Sequence, residues 1–159
     1  MNYYQKTILY AYPNLHRFIN GLDDLIEKRA VNSFYDLTSC ESQVEKILSL
    51  MESKNLLIEL KLKIDEILCT FTPDEIMCFE YKYFKRKTKS YFEGFDTQGR
   101  SYFRKQIRLL NKFSKILLRK GLDEKWFSKY LKISFISTVY DRVIQIDESL
   151  QKSKLKIIA

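Results

Sequence analysis

Six basic residues recur between positions 100 and 119 at intervals of four, four, four, three and four. On a helix this spacing places them within about 120° of one another, so they share one face. No Asp or Glu occurs between Gly99 and Gly121, which leaves no acidic neighbour on the helix to neutralise them. Such a face predicts binding to a polyanion, because each neutralised phosphate releases a condensed counterion. The six residues are Arg100, Arg104, Arg108, Lys112, Lys115 and Arg119.

Lys105 borders this face and joins the basic residues as a candidate nucleic-acid contact. Apolar residues occupy the rest of the same helix. The opposite side is expected to be a core face, as is typical of an amphipathic helix. It comprises Phe103, Ile107, Leu109, Leu110, Phe113, Ile116 and Leu117.

A second basic cluster lies upstream and is interleaved with Tyr81, Tyr83 and Phe84. Its lysines and arginine are candidates for holding backbone phosphate beside the helix that enters a groove. Taken alone, the cluster fits a solvated connection between helices equally well. Its members are Lys82, Lys85, Arg86, Lys87 and Lys89, of which the last four are candidate DNA contacts.

The sequence offers little support for catalysis, and we predict neither enzymatic activity nor a cofactor. His16 is the single histidine and lies apart from the three cysteines, which show no CxxC spacing. A zinc site needs about four ligands at suitable spacing, so none is predicted. The cysteines Cys40, Cys69 and Cys78 are expected to be reduced thiols.

Charge divides sharply between the two halves of the chain. Residues 1–70 hold 8 Lys or Arg and 10 Asp or Glu, whereas residues 71–159 hold 20 and 10. This asymmetry predicts a neutral or acidic assembly segment joined to a basic binding segment. No apolar run approaches the roughly 18 residues needed to span a bilayer, so we expect a cytoplasmic protein with no membrane partner.

An all-α fold is predicted, since four Gly and two Pro in 159 residues are too few for a loop-rich or all-β chain. Capping signals set several helix starts: Thr38 with Glu41, and Thr72-Pro73-Asp74-Glu75. Thr88 is a further candidate cap, and Gly121 is a candidate helix stop. The predicted helices cover 3–30 with a break or kink at Pro13, 39–69, 73–85, 88–94, 99–120, 123–131 and 135–149, before a basic tail.

The order of elements from Thr72 to the basic helix resembles the helix-turn-helix of sigma-factor region 4. It looks most like that of phage-encoded transcription regulators of the ArpU/RinA type, over residues 72–118. The resemblance implies that the helix 99–120 is a recognition helix whose Arg100, Ser101, Arg104 and Lys105 face DNA. Two positions depart from the family pattern. Phe92 stands where a small residue is usual, and Asp96 stands where Gly usually makes the turn.

Three segments follow from these patterns. Residues 1–70 are expected to form a helical assembly segment, either a hairpin or a coiled-coil dimerisation segment, although packing wholly within one chain is nearly as consistent. Residues 71–121 form the helix-turn-helix segment, and residues 122–159 form a C-terminal helical extension anchored by Trp126 and Phe127.

The expected function is that of a sequence-specific transcription regulator, phage or prophage encoded, that binds double-stranded DNA as a homodimer. RNA polymerase is a further candidate partner. Two alternatives stay open: a phage DNA-packaging protein of the small-terminase type, and a protein-binding adaptor whose cationic helix meets carboxylates. Charge alone does not separate DNA from RNA.

Overall fold

A computed structural model describes residues 2–33, 35, 39–85, 87–95, 97 and 99–158. Within these residues every regular element is helical, which confirms the all-α prediction. The six α-helices are α1 (Tyr3–Asn32), α2 (Cys40–Leu68), α3 (Pro73–Phe79), α4 (Gly99–Arg119), α5 (Glu124–Ser128) and α6 (Ser134–Ile158).

The chain forms two compact units whose boundaries differ from the three segments expected from sequence. One unit joins residues 1–13 to residues 67–159, and the other comprises residues 14–66. Of the break or kink expected at Pro13, the break does not occur, because α1 continues to Asn32, and the boundary between the two units falls after Pro13. The first three turns of α1 therefore belong with the basic half of the chain.

In the unit of residues 14–66, both α1 and α2 contribute buried apolar side chains. These are Leu15, Ile19, Leu57, Leu60 and Ile64. An ion pair also joins Asp23 of α1 to Lys54 of α2. The capping residue predicted for α2, Thr38, lies outside the described residues. The Ser39 hydroxyl accepts the Ser42 amide at 3.2 Å, which caps the helix one position later.

In the other unit, aromatic residues from the two ends of the chain form one core. The ring of Tyr4 lies 5.7 Å from that of Phe127, and its hydroxyl donates to the Leu122 carbonyl at 3.2 Å. The Phe127 ring also packs on Tyr130, so this part of the predicted C-terminal anchor is a core residue. Trp126 is half-buried and contacts the Tyr130 ring at 4.9 Å.

The start of α3 follows the sequence signal. The Thr72 hydroxyl accepts the Glu75 amide at 3.3 Å, and the Glu75 carboxylate accepts the Thr72 amide at 3.1 Å, so the predicted capping box is confirmed. From Glu80 to Phe84 the helix widens into a π-helical turn. It ends at Lys85, whose φ of 49° lies in the left-handed region.

The helix predicted over 88–94 is wrong in extent, because only a 3₁₀ turn from Lys89 to Phe92 forms. The Thr88 hydroxyl bonds the Ser90 hydroxyl at 2.8 Å and does not cap a backbone amide. In the predicted turn that follows, Asp96 and Gln98 lie outside the described residues.

The C-terminal end of α4 is confirmed at Gly121. Its φ of 73° is the left-handed conformation that favours glycine after a helix. The Leu122 amide then reaches back to the Leu117 carbonyl at 2.9 Å, and both of these leucines are buried.

Beyond α4, two helix predictions need correction. The helix expected over 123–131 divides into α5 and a 3₁₀ turn, Lys129–Lys132, with Asp123 capping α5 through the Trp126 amide at 2.8 Å. The last helix, expected to end near residue 149, continues as α6 to Ile158 through the residues expected to form a basic tail.

Candidate nucleic-acid interface

The position of α4 is fixed by a narrow buried face. Leu109, Phe113 and Leu117 are buried together with Gln106, whose amide donates to the Cys78 carbonyl at 3.3 Å. On α1, the Gln5 amide donates to the Ser114 hydroxyl at 2.8 Å. The helix therefore has one side held by α1 and α3, and its remaining side is available to a ligand.

Five of the six predicted basic residues are exposed on that remaining side. They lie within about 100° around the helix and extend about 28 Å along it. Within the described part of the chain, their side chains make no ion pair. We call this set the cationic stripe, and it consists of Arg100, Arg104, Arg108, Lys115 and Arg119.

Lys112, the sixth predicted residue, is not free. Its ammonium donates to the two Glu75 carboxylate oxygens at 2.8 and 3.0 Å and lies 4.6 Å from the centre of the Phe71 ring. Burial raises the pKa of Glu75, but hydrogen bonds from Lys112 and Thr72 outweigh that effect, so the pKa lies below its usual 4.5. Lys112 thus positions α4 against the start of α3.

Lys105 is also engaged within the protein. Its side chain is half-buried, and the ammonium lies 5.2 Å from the centre of the Phe95 ring. It lies beside the Cys78 thiol, whose pKa is raised by burial despite the opposing charge of Lys105. By contrast Ser101, another predicted contact, is exposed close to the stripe.

Two residues predicted on the core face of α4 are exposed. Phe103 is 64% and Ile107 is 59% accessible, and Leu118 adds a third exposed apolar side chain at 56%. The reason is angular: Phe103 and Ile107 lie roughly 75–115° away from the centre of the buried face. Phe103, Ile107 and Leu118 form an apolar border along one edge of the cationic stripe. These angles follow from the sequence, but the prediction divided α4 only into a core half and a basic half and therefore placed Phe103 and Ile107 in the core.

The upstream basic cluster is mostly exposed. Lys85, Lys87 and Lys89 are accessible, and the Lys87 ammonium lies 5.1 Å from the centre of the Tyr91 ring. Arg86, also a predicted contact, lies outside the described residues. Lys82 is half-buried, and burial followed by repulsion from the Lys6 ammonium lowers its pKa.

The aromatic residues around this cluster pack mainly on one another. The Tyr81 ring lies 5.2 Å from Phe92 and 5.9 Å from Tyr102 of α4. Phe92 in turn contacts Phe95 at 6.4 Å. These contacts connect the 3₁₀ turn and its basic residues to the first turn of α4. Phe92, the large residue that departs from the helix-turn-helix pattern, is one of the rings that make this connection.

Other kinds of site have less support in the described residues. No three His, Cys, Asp or Glu side chains there are grouped closely enough to hold a metal ion. No helix in the same residues is long and apolar enough to cross a membrane. The sequence matches no family model and no curated protein, and the fold matches no solved structure. The resemblance to phage regulators therefore stays an expectation from sequence.

Proposed function

We propose that this protein binds double-stranded DNA through α4 and regulates transcription at specific sequences. The observation that carries the proposal is the cationic stripe, in which five exposed cations lie along one well-anchored helix and make no ion pair with any carboxylate among the described residues. Like charges four residues apart destabilise a helix slightly. A row of phosphates offsets this repulsion and releases counterions at the same time.

The first turns of α4 are the part suited to reading bases. Arg100, Ser101 and Arg104 are exposed there, and arginine forms paired hydrogen bonds with guanine in the major groove. Arg108 and Lys115 lie further along the same face, where contact with backbone phosphate is the natural role. The exposed lysines of the upstream cluster add phosphate contacts beside the groove. Lys105 and Lys112 act as supports of the helix in this arrangement.

The salt dependence of binding to a short random-sequence duplex tests the proposal. If about five phosphates are neutralised, the slope of log affinity against log salt concentration is about −4.5. Arg108→Ala should make the slope shallower by about 0.9, because it removes one phosphate contact. Arg142→Ala is the matched control, because Arg142 is an exposed arginine on α6 and should leave the slope unchanged. Fluorescence anisotropy gives each affinity, and a slope near zero would overturn the proposal.

Selection of bound fragments from random DNA tests the sequence-specific part. We expect a recovered motif for the native protein and a relaxed motif for Arg104→Ala, because the paired contact with a base is lost. Lys87→Ala should weaken binding to all sequences alike and leave the motif intact. Recovery of random fragments, together with a salt slope of the expected size, would mean that the protein binds DNA without sequence specificity.

The apolar border of α4 favours one other function, that of an adaptor to an acidic protein. Phe103 and Ile107 would then fill apolar pockets of the partner while the cationic stripe meets its carboxylates. RNA polymerase, the further partner expected from sequence, is a candidate of this kind. Purified polymerase distinguishes the two functions, because an adaptor should bind it without competition from duplex DNA and should lose that binding with Phe103→Ser.

A further inference from the structure

Helix α2 has a second apolar face on the side opposite its buried residues. Leu57, Leu60 and Ile64 are buried, and a different set of residues lies about 180° around the helix from them. In this set Leu48 is 57% and Leu62 is 61% exposed. A helix with apolar residues all round is typical of one that is covered on more than one side. The second face consists of Val44, Leu48, Met51, Asn55, Ile58 and Leu62.

The spacing of this face is that of a coiled coil. Successive members are separated by four, three, four, three and four residues. In heptad terms Leu48, Asn55 and Leu62 occupy a positions, and the other three members occupy d positions. We call these six residues the α2 seam. All are exposed except Ile58, which is half-buried.

We propose that the α2 seam is the contact between two copies of this chain, which pair in parallel and in register. Asn55 stands at the central a position and is exposed. A single asparagine at an a position fixes register and the number of strands in a coiled coil, at some cost in stability. A second copy in the same register brings its own Asn55 amide to the same level, where the two amides satisfy each other. An unrelated apolar helix would leave that amide without a partner.

The charges beside the seam favour a second copy in the parallel direction. The e positions are glutamates throughout, namely Glu45, Glu52, Glu59 and Glu66. The g positions are Ile47, Lys54 and Lys61. In a parallel pair, Lys54 faces Glu59 of the second copy, and Lys61 faces Glu66 of the second copy. In an antiparallel pair e faces e and g faces g, so glutamates would oppose glutamates and lysines would oppose lysines.

The α2 seam is shorter than a free coiled coil, so α2 needs the support of α1 in the dimer. Six positions span fewer than three heptads, whereas a free coiled coil is usually sustained over three or four. Within the same unit, the ion pair of Lys54 with Asp23 places α1 against another side of α2. Each copy therefore contributes a supported pair of helices to the contact, in which α2 meets α2. Lys54 already pairs with Asp23, and Lys61 with Asp65. In the dimer each ammonium therefore interacts with one carboxylate of its own chain and one of the second copy.

The mass of the full-length protein in solution tests the contact. One chain is 19.1 kDa, so two copies give 38.2 kDa. Leu48→Glu places two like charges opposite each other in the seam and should return the mass to that of one chain. Leu118→Glu is the matched control, since Leu118 is 56% exposed but lies on α4, and it should leave the dimer intact. A native protein of single-chain mass at high micromolar concentration would overturn the proposal.

Cross-linking tests direction and register. Asn55→Cys in a Cys40→Ser, Cys69→Ser background should form a disulfide between copies on mild oxidation, because equivalent a positions face each other only in a parallel pair. Ser49→Cys is the control on the same helix, as Ser49 is exposed but lies off the seam. Equal cross-linking at both positions, or none at position 55, would overturn the parallel register.

Dimerisation through the α2 seam and DNA binding through α4 fail independently. Both experiments on the seam are made without DNA, and the salt slope is compared per chain on a duplex too short for more than one copy of α4. A Leu48→Glu protein with single-chain mass and an unchanged slope per chain would support both proposals together. A dimer with a slope near zero would retain the seam and reject the DNA-binding function.

Discussion

At the scale of single residues, the Glu75 carboxylate carries two structural roles at once. It accepts the Thr72 amide to complete the cap of α3, and it pairs with the Lys112 ammonium of α4. The partners Glu75 and Lys112 are 37 residues apart in sequence. The sequence signal for the cap is local and was predicted, whereas the ion pair depends on how α4 packs against α3. This pair removes Lys112 from the surface that a nucleic acid would contact.

Glu75→Gln tests the contribution of this carboxylate. The amide retains part of the cap but loses the charge, so the free energy of unfolding at pH 7 should fall by about 1 kcal/mol. Because the pKa of Glu75 is lowered in the folded protein, the unfolded chain takes up the proton first as pH falls below 4.5. The contribution of the charge is therefore full above that pH and is lost as pH falls through the folded-state pKa. Urea unfolding at pH 7 and at acidic pH should show the difference between native and variant shrinking on acidification. A difference that does not change with pH would contradict this role.

At the scale of elements, the cationic stripe lowers the stability of α4, because it places like charges next to one another. Arg104 has Arg100 and Arg108 as its neighbours four residues away on either side. Both pairs are repulsive, each by a few tenths of a kcal/mol. The same basic residues of α4 therefore lower its stability and favour binding to DNA.

Arg104→Glu should separate those two properties. The change removes two repulsive pairs and creates two attractive ones, so the free energy of unfolding should rise by about 1 kcal/mol. DNA affinity should fall more than with Arg104→Ala, because the glutamate also repels phosphate. Thermal unfolding and anisotropy measure the two effects on the same sample. Arg142→Glu on α6 is the control for charge reversal elsewhere, and a variant of Arg104 that lost both stability and affinity would contradict the argument.

Features set by interactions within a few residues could be predicted from sequence, whereas features set by contacts between elements could not. The cap at Thr72 and the stop at Gly121 are set within a few residues, and both were predicted. The helix expected over 88–94 was wrong because the rings of Phe92 and Phe95 pack on Tyr81, which favours a short turn over a longer helix. The width of the buried face on α4 was also missed, since it depends on which elements approach that helix.

For the candidate site, the residue types and their common face were predictable, but the contacts of individual lysines were not. Helical periodicity places Arg100 and Arg108 on one side of α4, and both are exposed. The same periodicity cannot show that Lys105 meets Phe95 or that Lys112 meets Glu75, because these partners lie on other elements. Long flexible side chains at the edge of a face are therefore the least predictable members of such a stripe.

At the scale of the whole molecule, the start of the chain completes the unit that carries α4. Residues 1–13 belong with residues 67–159, although the sequence suggested a boundary near residue 70. Tyr4 is buried and packs on Phe127, and Gln5 bonds Ser114 of α4. The position of the helix that bears the cationic stripe thus depends on Gln5, which lies 109 positions before its partner Ser114 in the chain.

Tyr4→Ala should weaken DNA binding near the melting temperature without removing any basic residue. Loss of a buried aromatic ring costs about 3–5 kcal/mol, and the unit that contains α4 bears that cost. Tyr4→Phe removes only the hydroxyl that donates to the Leu122 carbonyl, so it should cost about 1 kcal/mol. Hydrogen exchange measured by mass spectrometry should then show faster exchange in α4 for Tyr4→Ala, in proportion to the loss of affinity on warming. Unchanged exchange in α4 would mean that the first turns of α1 do not support it. The α2 seam lies in the unit of residues 14–66, whereas Tyr4 lies in the other unit, so the seam should keep its protection in both variants.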